Sequence, residues 1–392
     1  MKKSLDTIVI GLGAMGSAAA YQLSKRGERV LGIDQFSPPH AKGSSHGDTR
    51  ITRLAIGEGR EYVPLALRSH EIWREIEAAT HDELLTVTGG LIIGNDRAAP
   101  SHGVSNFVQR TREAAQAFGI THQMMTAKEI RKRFPPFALR DDEVGYYEEQ
   151  AGFVRPEACI RAQLDLARQN GAEVRANETV LEVIPSGSND RVTVRTDRGS
   201  YEAATAVLTV GAWIRQFVRP DLAQLFTVHR EVLYWFDAPG KMEEFEPGKF
   251  PIFIWVSDRD MDLLYGFPDV DGQGVKVATE QFTTSTTPET FQEQVTDEEI
   301  ATMQRHTRQY LPGLTGPCKK AAACKYTCTP DFGFVIDHLP DHPQVIVASP
   351  CSGHGFKHST AIGEMIAELA MTGQTTIDRE PFRWEKRACS RA

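Results

Sequence analysis

Apolar positions near the amino end follow a short grammar. Ile8-Val9-Ile10 is an unbroken apolar run, Ser17 to Lys25 suits a helix, and Val30-Leu31-Gly32-Ile33 is a second run ending on Asp34. Such runs alternating with helices predict a parallel sheet covered on both faces. Val63, Leu65, Ile72 and Ile76 recur at helical intervals and predict an amphipathic helix over 60–78. Helices are also expected over 107–118, 127–134, 156–170, 296–310 and 359–371, the second stopped by Pro135-Pro136. The stretch 84–93 reads as a strand with Gly89-Gly90 inside it, and 173–175 and 179–184 as two more. Alternation over 192–196, a turn at 197–200 and the stretch 201–203 predict a hairpin. Ala206 to Trp213 is expected to be a buried strand entering a glycine turn, and 345–348 another buried strand. Between about 226 and 322 the pattern changes to strand-like runs at 228–236, 250–256, 263–268 and 274–279 before a helix. That is the pattern of an antiparallel sheet with a covering helix.

The turn between the first strand and helix carries Gly11, Gly13 and Gly16, and Asp34 follows eighteen positions later. In this context each position has a physical task. Gly11 makes the tight turn, Gly13 lets backbone N–H groups approach a pyrophosphate, and Gly16 lets the helix pack on the strand. The helix directs its positive end at the phosphates, and Asp34 accepts from ribose hydroxyls. The expected fold is therefore α/β. A Rossmann-type domain is assembled from 1–83, 150–222 and 323–392, and an antiparallel-sheet substrate domain from 84–149 and 223–322.

Composition narrows the classes. With 392 residues, 41% hydrophobic and 24% charged, the chain suits a two-domain globular protein. A net charge of −8 argues against a nucleic-acid surface, and no apolar run approaches the ~20 residues of a membrane helix. Lys2 and Lys3 before an apolar stretch resemble a secretory signal, yet cleavage there would destroy the nucleotide turn. The six cysteines (Cys159, Cys318, Cys324, Cys328, Cys351, Cys389) are dispersed, which points to a reducing, cytoplasmic setting. Ser390-Arg391-Ala392 lacks the terminal leucine of a peroxisomal address. Neither these cysteines nor His338, His342, His354 and His358 have metal-site spacing, so no metal is expected.

Three further segments carry a resemblance. They are Gly43-Ser44-Ser45-His46-Gly47-Asp48-Thr49-Arg50-Ile51-Thr52-Arg53, then Ala323-Cys324-Lys325-Tyr326-Thr327, then Ser352-Gly353-His354-Gly355-Phe356-Lys357, with Glu58 to Leu65 extending the first. With the glycine turn, they resemble the monomeric sarcosine oxidase and N-methyltryptophan oxidase family along essentially the whole chain. The resemblance implies FAD rather than a nicotinamide. It also implies a monomer whose partners are a small secondary amine and oxygen. At the cofactor it implies Met15, Gln35, Ser44, Thr49, Val180, Gly211, Trp213, Gly353, His354, Gly355, Phe356 and Lys357 beside the turn glycines and Asp34.

Cys324 matches the cysteine that this family joins to the flavin 8-methyl group through a thioether. That chemistry needs a thiolate and nearby positive charge, for which Lys325 and the last helix are candidates. Otherwise Cys324 is an ordinary buried thiol. Lys357 invites a second argument, because a cation in the first turn of a helix opposes the macrodipole by about 0.3–1 kcal/mol. An anion held there would explain it. The resemblance implies a substrate carboxylate on Lys357 and Arg53, the latter through its planar fork.

Arg50 lies three residues before Arg53, on the same face if the segment is helical. The resemblance implies Arg50 against the flavin ring with His46 and Thr49 nearby. The plain reading of these residues is loop or N-cap duty, since Asp48 or Thr49 could equally start a helix. Lys276 alternates with Val275 and Val277, and the resemblance implies that it faces the flavin and promotes oxygen reduction. A fixed ammonium would stabilise superoxide after the first electron transfer. Tyr265 and Tyr326 are expected to line the substrate cavity.

One position departs from the family: Glu280 stands where the relatives carry histidine, four residues after the lysine. A carboxylate there would favour a protonated substrate amine, whereas only the neutral amine has a lone pair. Glu280 is therefore expected to point away or to bind a distant polar or cationic part of a larger substrate. The implied activity is oxidation of an N-methyl or other N-alkyl amino acid, giving imine, then dealkylated amino acid, aldehyde and hydrogen peroxide. A flavin dehydrogenase using another electron acceptor, or a flavin-bearing amino-acid-binding protein, remains open at this point.

Overall fold

The computed structural model describes residues 5–186, 191–259 and 261–388; Lys2, Lys3, Cys389 and the 390–392 terminus lie outside the described residues. Leu5–Ile10 pairs in parallel with Val30–Ile33 on one side and Ser200–Leu208 on the other. Glu173–Arg175 and His342–Ser349 extend the parallel set outward. Three antiparallel strands, Val180–Pro185, Val192–Thr196 and Val335–Leu339, complete eight. Both faces are covered, as the unbroken apolar runs require. Val9, Val207 and Ile346 face a core shared with the helices Ala14–Lys25, Pro156–Gln169 and Ser359–Thr372. Ile8, Ile10 and Leu208 face a second core with Ile214, Leu222, Phe226 and Trp384.

A second sheet of nine strands stands beside the first. Its order runs Ser285–Thr286, Thr227–Phe236, Val275–Ala278, Leu263–Asp269, Ile252–Val256, Gly90–Gly94, Val144–Glu148 and Gln123–Thr126. Cys318–Cys328 also pairs along Thr227–Phe236. That strand runs through the domain division expected at 322/323. Its hydrophobic core includes Trp255, Phe250, Phe253 and Tyr310. The helix Asp297–Thr307 starts in a capping box between Thr296 and Glu299.

Three expectations are corrected. The stretch 84–93 is two strands, Leu85–Val87 and Gly90–Gly94, in different sheets. The chain breaks at Gly89, whose φ of 75° admits the turn. The runs read separately at 201–203 and 206–213 form one strand, Ser200–Leu208, because its first half pairs with a hairpin partner and its second with buried neighbours. Finally, no helix starts at Asp48 or Thr49: Arg50–Thr52 is a strand paired with Gly152–Val154. Asp48 sits at φ 66°, so helical propagation is blocked there, and Arg50 and Arg53 do not share a helical face.

Helix Ala14–Lys25 meets Ser359–Thr372 through small residues. A Cβ on Gly363 would lie 2.5 Å from Ala18 Cβ and 2.6 Å from its carbonyl carbon. Gly363→Ala would gain ~0.5–1 kcal/mol of helix propensity, but overpacking against backbone costs about 1–3 kcal/mol. The net expectation is destabilisation, read as a lower midpoint in chemical denaturation with unchanged slope.

Candidate active site

The loop after the first strand shows why its glycines are there. Gly11 has φ 84°, and a Cβ on it would stand 2.7 Å from Thr209 O, while one on Gly16 would stand 1.8 Å from Gly11 O. Gly13 is the N-cap of Ala14–Lys25 and brings no side chain to it; Ala14 N donates to Ser45 Oγ at 3.3 Å, and Gly13 leaves the rest of the amide end uncovered. A cavity of ≈ 1390 Å³, including space open to solvent, begins at this turn. Its lining includes Gly11, Gly13, Met15, Asp34, Gln35, Ser44, Arg50, Val180, Gly211, Trp213, Gly353, Gly355 and Phe356, all expected from the sequence. Asp34 is held by its neighbours: its oxygens accept from Leu12 N at 2.7 Å and Phe36 N at 2.8 Å. The glycine cradle, the uncapped helix and the fixed carboxylate fit a dinucleotide such as FAD.

A second cavity of ≈ 610 Å³ adjoins the first, because Arg50, Tyr326, Gly353 and Phe356 line both. Lys276, Tyr265, Glu280, His354 and Lys357 also line it. Lys276 is 2% exposed, not on a solvated sheet face. Its Nζ donates to Gly47 O and Thr49 O, each at 2.7 Å, and to Thr49 Oγ1 at 3.1 Å. Burial, then the Arg50 guanidinium, push its pKa well down. The two carbonyl acceptors and the Phe267 ring, its centroid 4.4 Å away, act in the opposite direction and favour the charged form, while the Thr49 hydroxyl can serve either form.

Arg50 donates to Thr49 O at 2.9 Å and Ser44 O at 2.8 Å, and its guanidinium nitrogen is 3.7 Å from Cys324 Sγ. Cys324 is fully buried, which raises its thiol pKa, while Arg50 works in the opposite direction. The cation at this thiol is thus Arg50. Lys325, next in the strand, points to the other side, where its Nζ donates to Lys42 O at 2.9 Å and lies 3.6 Å from the Phe291 ring centroid.

Other expected residues fall outside the two linings. His46 is buried with Nε2 unpaired, and burial followed by Arg50 lowers its pKa to about 3, so the ring is neutral. Thr49 serves Lys276 rather than either cavity. Gly16 packs against the turn.

The end expected to bind an anion departs from a simple fork. Arg53 is 1% exposed; its terminal nitrogens donate to Ala55 O and, at 2.5 Å, to Glu58 Oε2, and its Nε has no partner. Glu58 lines the second cavity and Arg53 does not. Burial opposes the Glu58 charge, but Arg53 and Lys357 outweigh it and hold its pKa well down. Lys357 donates to His354 O at 2.7 Å, and burial, only partly offset by Glu58, lowers its pKa to about 8. Tyr265 and Tyr326 join hydroxyls at 3.1 Å.

Glu280 does not point away. It lines the cavity and bonds to His102, with Nε2 3.1 Å from Oε2. Sequence reasoning missed His102, which lies in a turn with no motif around it. It also gave Glu58 no role, although an acid five residues beyond Arg53 between two glycines was a usable signal. Among the described residues, no group of three or more His, Cys, Asp or Glu is arranged to hold a metal ion, and no helix is long and apolar enough to cross a membrane.

Known proteins agree with this architecture. The family model described as FAD dependent oxidoreductase matches residues 6–369. Similar relatives include a monomeric sarcosine oxidase of Streptomyces avermitilis, 43% identical over 96% of both chains. Another is the N-methyl-L-tryptophan oxidase of Yersinia pestis (strain Pestoides F), 35% identical over 96% of this chain and 98% of that one. Among solved structures, NikD, described as an unusual amino acid oxidase essential for nikkomycin biosynthesis, aligns with TM-score 0.83 at 22% identity, covering 97% of this chain and 98% of that one. L-proline dehydrogenase from P. horikoshii aligns with TM-score 0.78 at 20% identity, covering 98% and 99%; both share the fold. A two-sheet chain with a glycine cradle opening into a second, charged cavity, matched along nearly its whole length, belongs to the FAD dependent oxidoreductase family.

Proposed function

We propose that the protein oxidises secondary amines, taking an N-methyl or other N-alkyl amino acid and oxygen to the demethylated or dealkylated amino acid, an aldehyde and hydrogen peroxide. The observation that carries this reading is the continuity of the two cavities through Arg50, Tyr326, Gly353 and Phe356, with Lys357 in the second. The names of the relatives, sarcosine oxidase and N-methyl-L-tryptophan oxidase, support the substrate class. The reading includes a cytoplasmic monomer, with 1–83, 150–222 and 323–392 serving the cofactor and 84–149 and 223–322 serving the substrate.

FAD bound at the glycine cradle supplies a two-electron acceptor. The chain's own residues bind and orient. Lys357 attracts the substrate carboxylate, and the Arg53–Glu58 pair keeps that end of the cavity structured. Tyr265 and Tyr326 form a polar wall, and the neutral amine is the reacting species because it alone has a lone pair. Lys276 holds a fixed positive charge where oxygen takes up electrons, which favours superoxide formation electrostatically. The imine then hydrolyses, with water supplying the aldehyde oxygen.

The direct test is anaerobic titration of the purified yellow protein with N-methyl, cyclic and N-glycated amino acids. Loss of visible absorbance followed by recovery with peroxide on admitting air is expected. Bleaching without recovery in air would assign a dehydrogenase, and no bleaching by any of them would assign a binding protein.

Covalent attachment through Cys324 is part of the proposal, supported by Arg50 at 3.7 Å from Sγ. Acid precipitation should leave the colour with unaltered protein and release it from Cys324→Ala. Equal release from both would remove the attachment.

Lys276→Met should slow reoxidation by oxygen by at least about two orders of magnitude, the scale of losing one preorganised electrostatic partner. Stopped-flow bleaching by substrate should change far less. Similar losses in both half-reactions would remove the assigned role.

A further inference from the structure

Most donors around the second cavity are already engaged. Arg50 is held by two carbonyls, Lys276 by three oxygens, and both terminal nitrogens of Arg53 by Ala55 and Glu58. His102 differs. It lines the cavity with its side chain only 7% exposed, yet Nδ1 has no hydrogen-bond partner. Glu58 Oε1, at 3.9 Å, is outside hydrogen-bond reach.

Its placement is fixed by the backbone. Ser101 and Val104 exchange hydrogen bonds of 3.0 and 2.8 Å around a turn in which His102 has φ 48° and Gly103 φ 74°. Positive φ at both central positions is the geometry of a tight hairpin turn, and a left-handed histidine there is uncommon. The ring is confined from several sides, 5.5 Å from the Phe332 ring and 5.2 Å from the His354 ring by centroids. Burial works against its charge, but Glu280 and then Glu58 outweigh that, so its pKa is raised. In the protonated ring both nitrogens are donors, and only Nε2 is used.

We propose that His102 is a binding residue for the substrate's carboxylate, giving it a hydrogen bond from Nδ1 alongside Lys357, and that Glu280 is a positioning residue that fixes the imidazolium through Nε2. The proposal rests on reading this cavity as the amino-acid pocket. It makes sense of the charges: Glu58 compensates Arg53, Glu280 compensates His102, Arg50 and Lys276 are turned onto backbone oxygens, and the charge of Lys357 is left for one carboxylate. Glu280 is therefore not a receptor for a substrate cation. It maintains a donor, and the neutral substrate amine meets a carboxylate whose charge is already compensated.

The test uses holoenzyme titrated with propionate and with propionamide, followed by perturbation of the bound flavin's visible absorbance. His102→Gln should weaken propionate about 10-fold, the scale of one charge-assisted hydrogen bond, and leave propionamide unchanged. His102→Lys should recover most of the loss by restoring a cation. In Glu280→Gln, propionate affinity should already fall as pH rises through the ordinary imidazole range near ~6.5. In the unaltered protein that fall comes later, because Glu280 and Glu58 hold His102 charged against Lys357 and His354. With substrate, His102→Gln should raise KM while leaving the limiting anaerobic reduction rate nearly unchanged. Unaltered propionate affinity in His102→Gln, equal loss of both probes at normal flavin content, or no carboxylate preference in the unaltered protein would each overturn the proposal. The titration needs no turnover, so failure of every amine to bleach the flavin would end the oxidase reading while this result stood by itself.

Discussion

The contact between Lys276 and the loop after Gly43 joins the two halves of the molecule. Lys276 belongs to the nine-stranded sheet, whereas the carbonyls it grips, Gly47 and Thr49, belong to the loop that follows the strand Val30–Ile33. A buried ammonium without such acceptors would cost several kcal/mol or lose its proton. The loop is therefore shaped by the cation as much as by its own sequence. Asp48 takes a left-handed conformation, so that the carbonyls on either side of it turn inward, and its carboxylate pairs with Lys320 at 2.7 Å. Ser44 closes the arrangement through Lys325 O at 2.5 Å and through its own carbonyl, which receives Arg50. Arg50, Lys276 and the Cys324 thiol thus share one set of backbone oxygens, and movement of that loop would disturb all three.

The second cavity follows a related rule at its other end. Each buried cation has a carboxylate or carbonyl within reach, and each carboxylate has a cation. Glu58 is ionised by Arg53 and Lys357 despite full burial, and Glu280 is matched by His102. Such pairs contribute little net stability, since desolvation offsets attraction, but removing one partner leaves a costly buried charge. Their consequence here is specificity. With Glu58 opposite Arg53 and Glu280 opposite His102, the positive groups without a carboxylate of their own are Lys357 and the oxygen-bound Arg50 and Lys276, a balance that favours an anion in the pocket over a cation.

What the sequence disclosed follows from the range of the forces involved. The Gly11, Gly13 and Gly16 turn and Asp34 were legible because their tasks are set by local backbone geometry. Strands such as Thr227–Phe236 and helices such as Asp297–Thr307 were legible from the pattern of apolar and polar positions. The segment 48–53 was not, because propensity at Asp48 and Thr49 favours a helix start while pairing with Gly152–Val154 and the pull of Lys276 impose a strand. Lys325 was misjudged for a simple geometric reason: adjacent strand residues face opposite sides, so sequence neighbours of Cys324 are the wrong place to look for its cation. His102 had no local signal at all. Its meaning depends on Glu280, 178 positions away, and only the fold brings the two together.

That pairing also shows why a one-residue comparison with relatives misleads at Glu280. Read alone, an acid in place of a histidine reverses the charge of the site. Read with His102, the carboxylate arrives together with a compensating imidazolium from another loop, so the pair is close to neutral overall. In this chain the positive group facing Glu280 comes from a hairpin turn packed against Phe332 and His354. A rigid turn fixes a ring more tightly than a strand end does, because its two positive-φ positions leave few alternative conformations. With His102 as the proposed carboxylate donor, the Glu280–His102 pair bears on where the substrate's anionic end lies rather than on whether an anion is accepted.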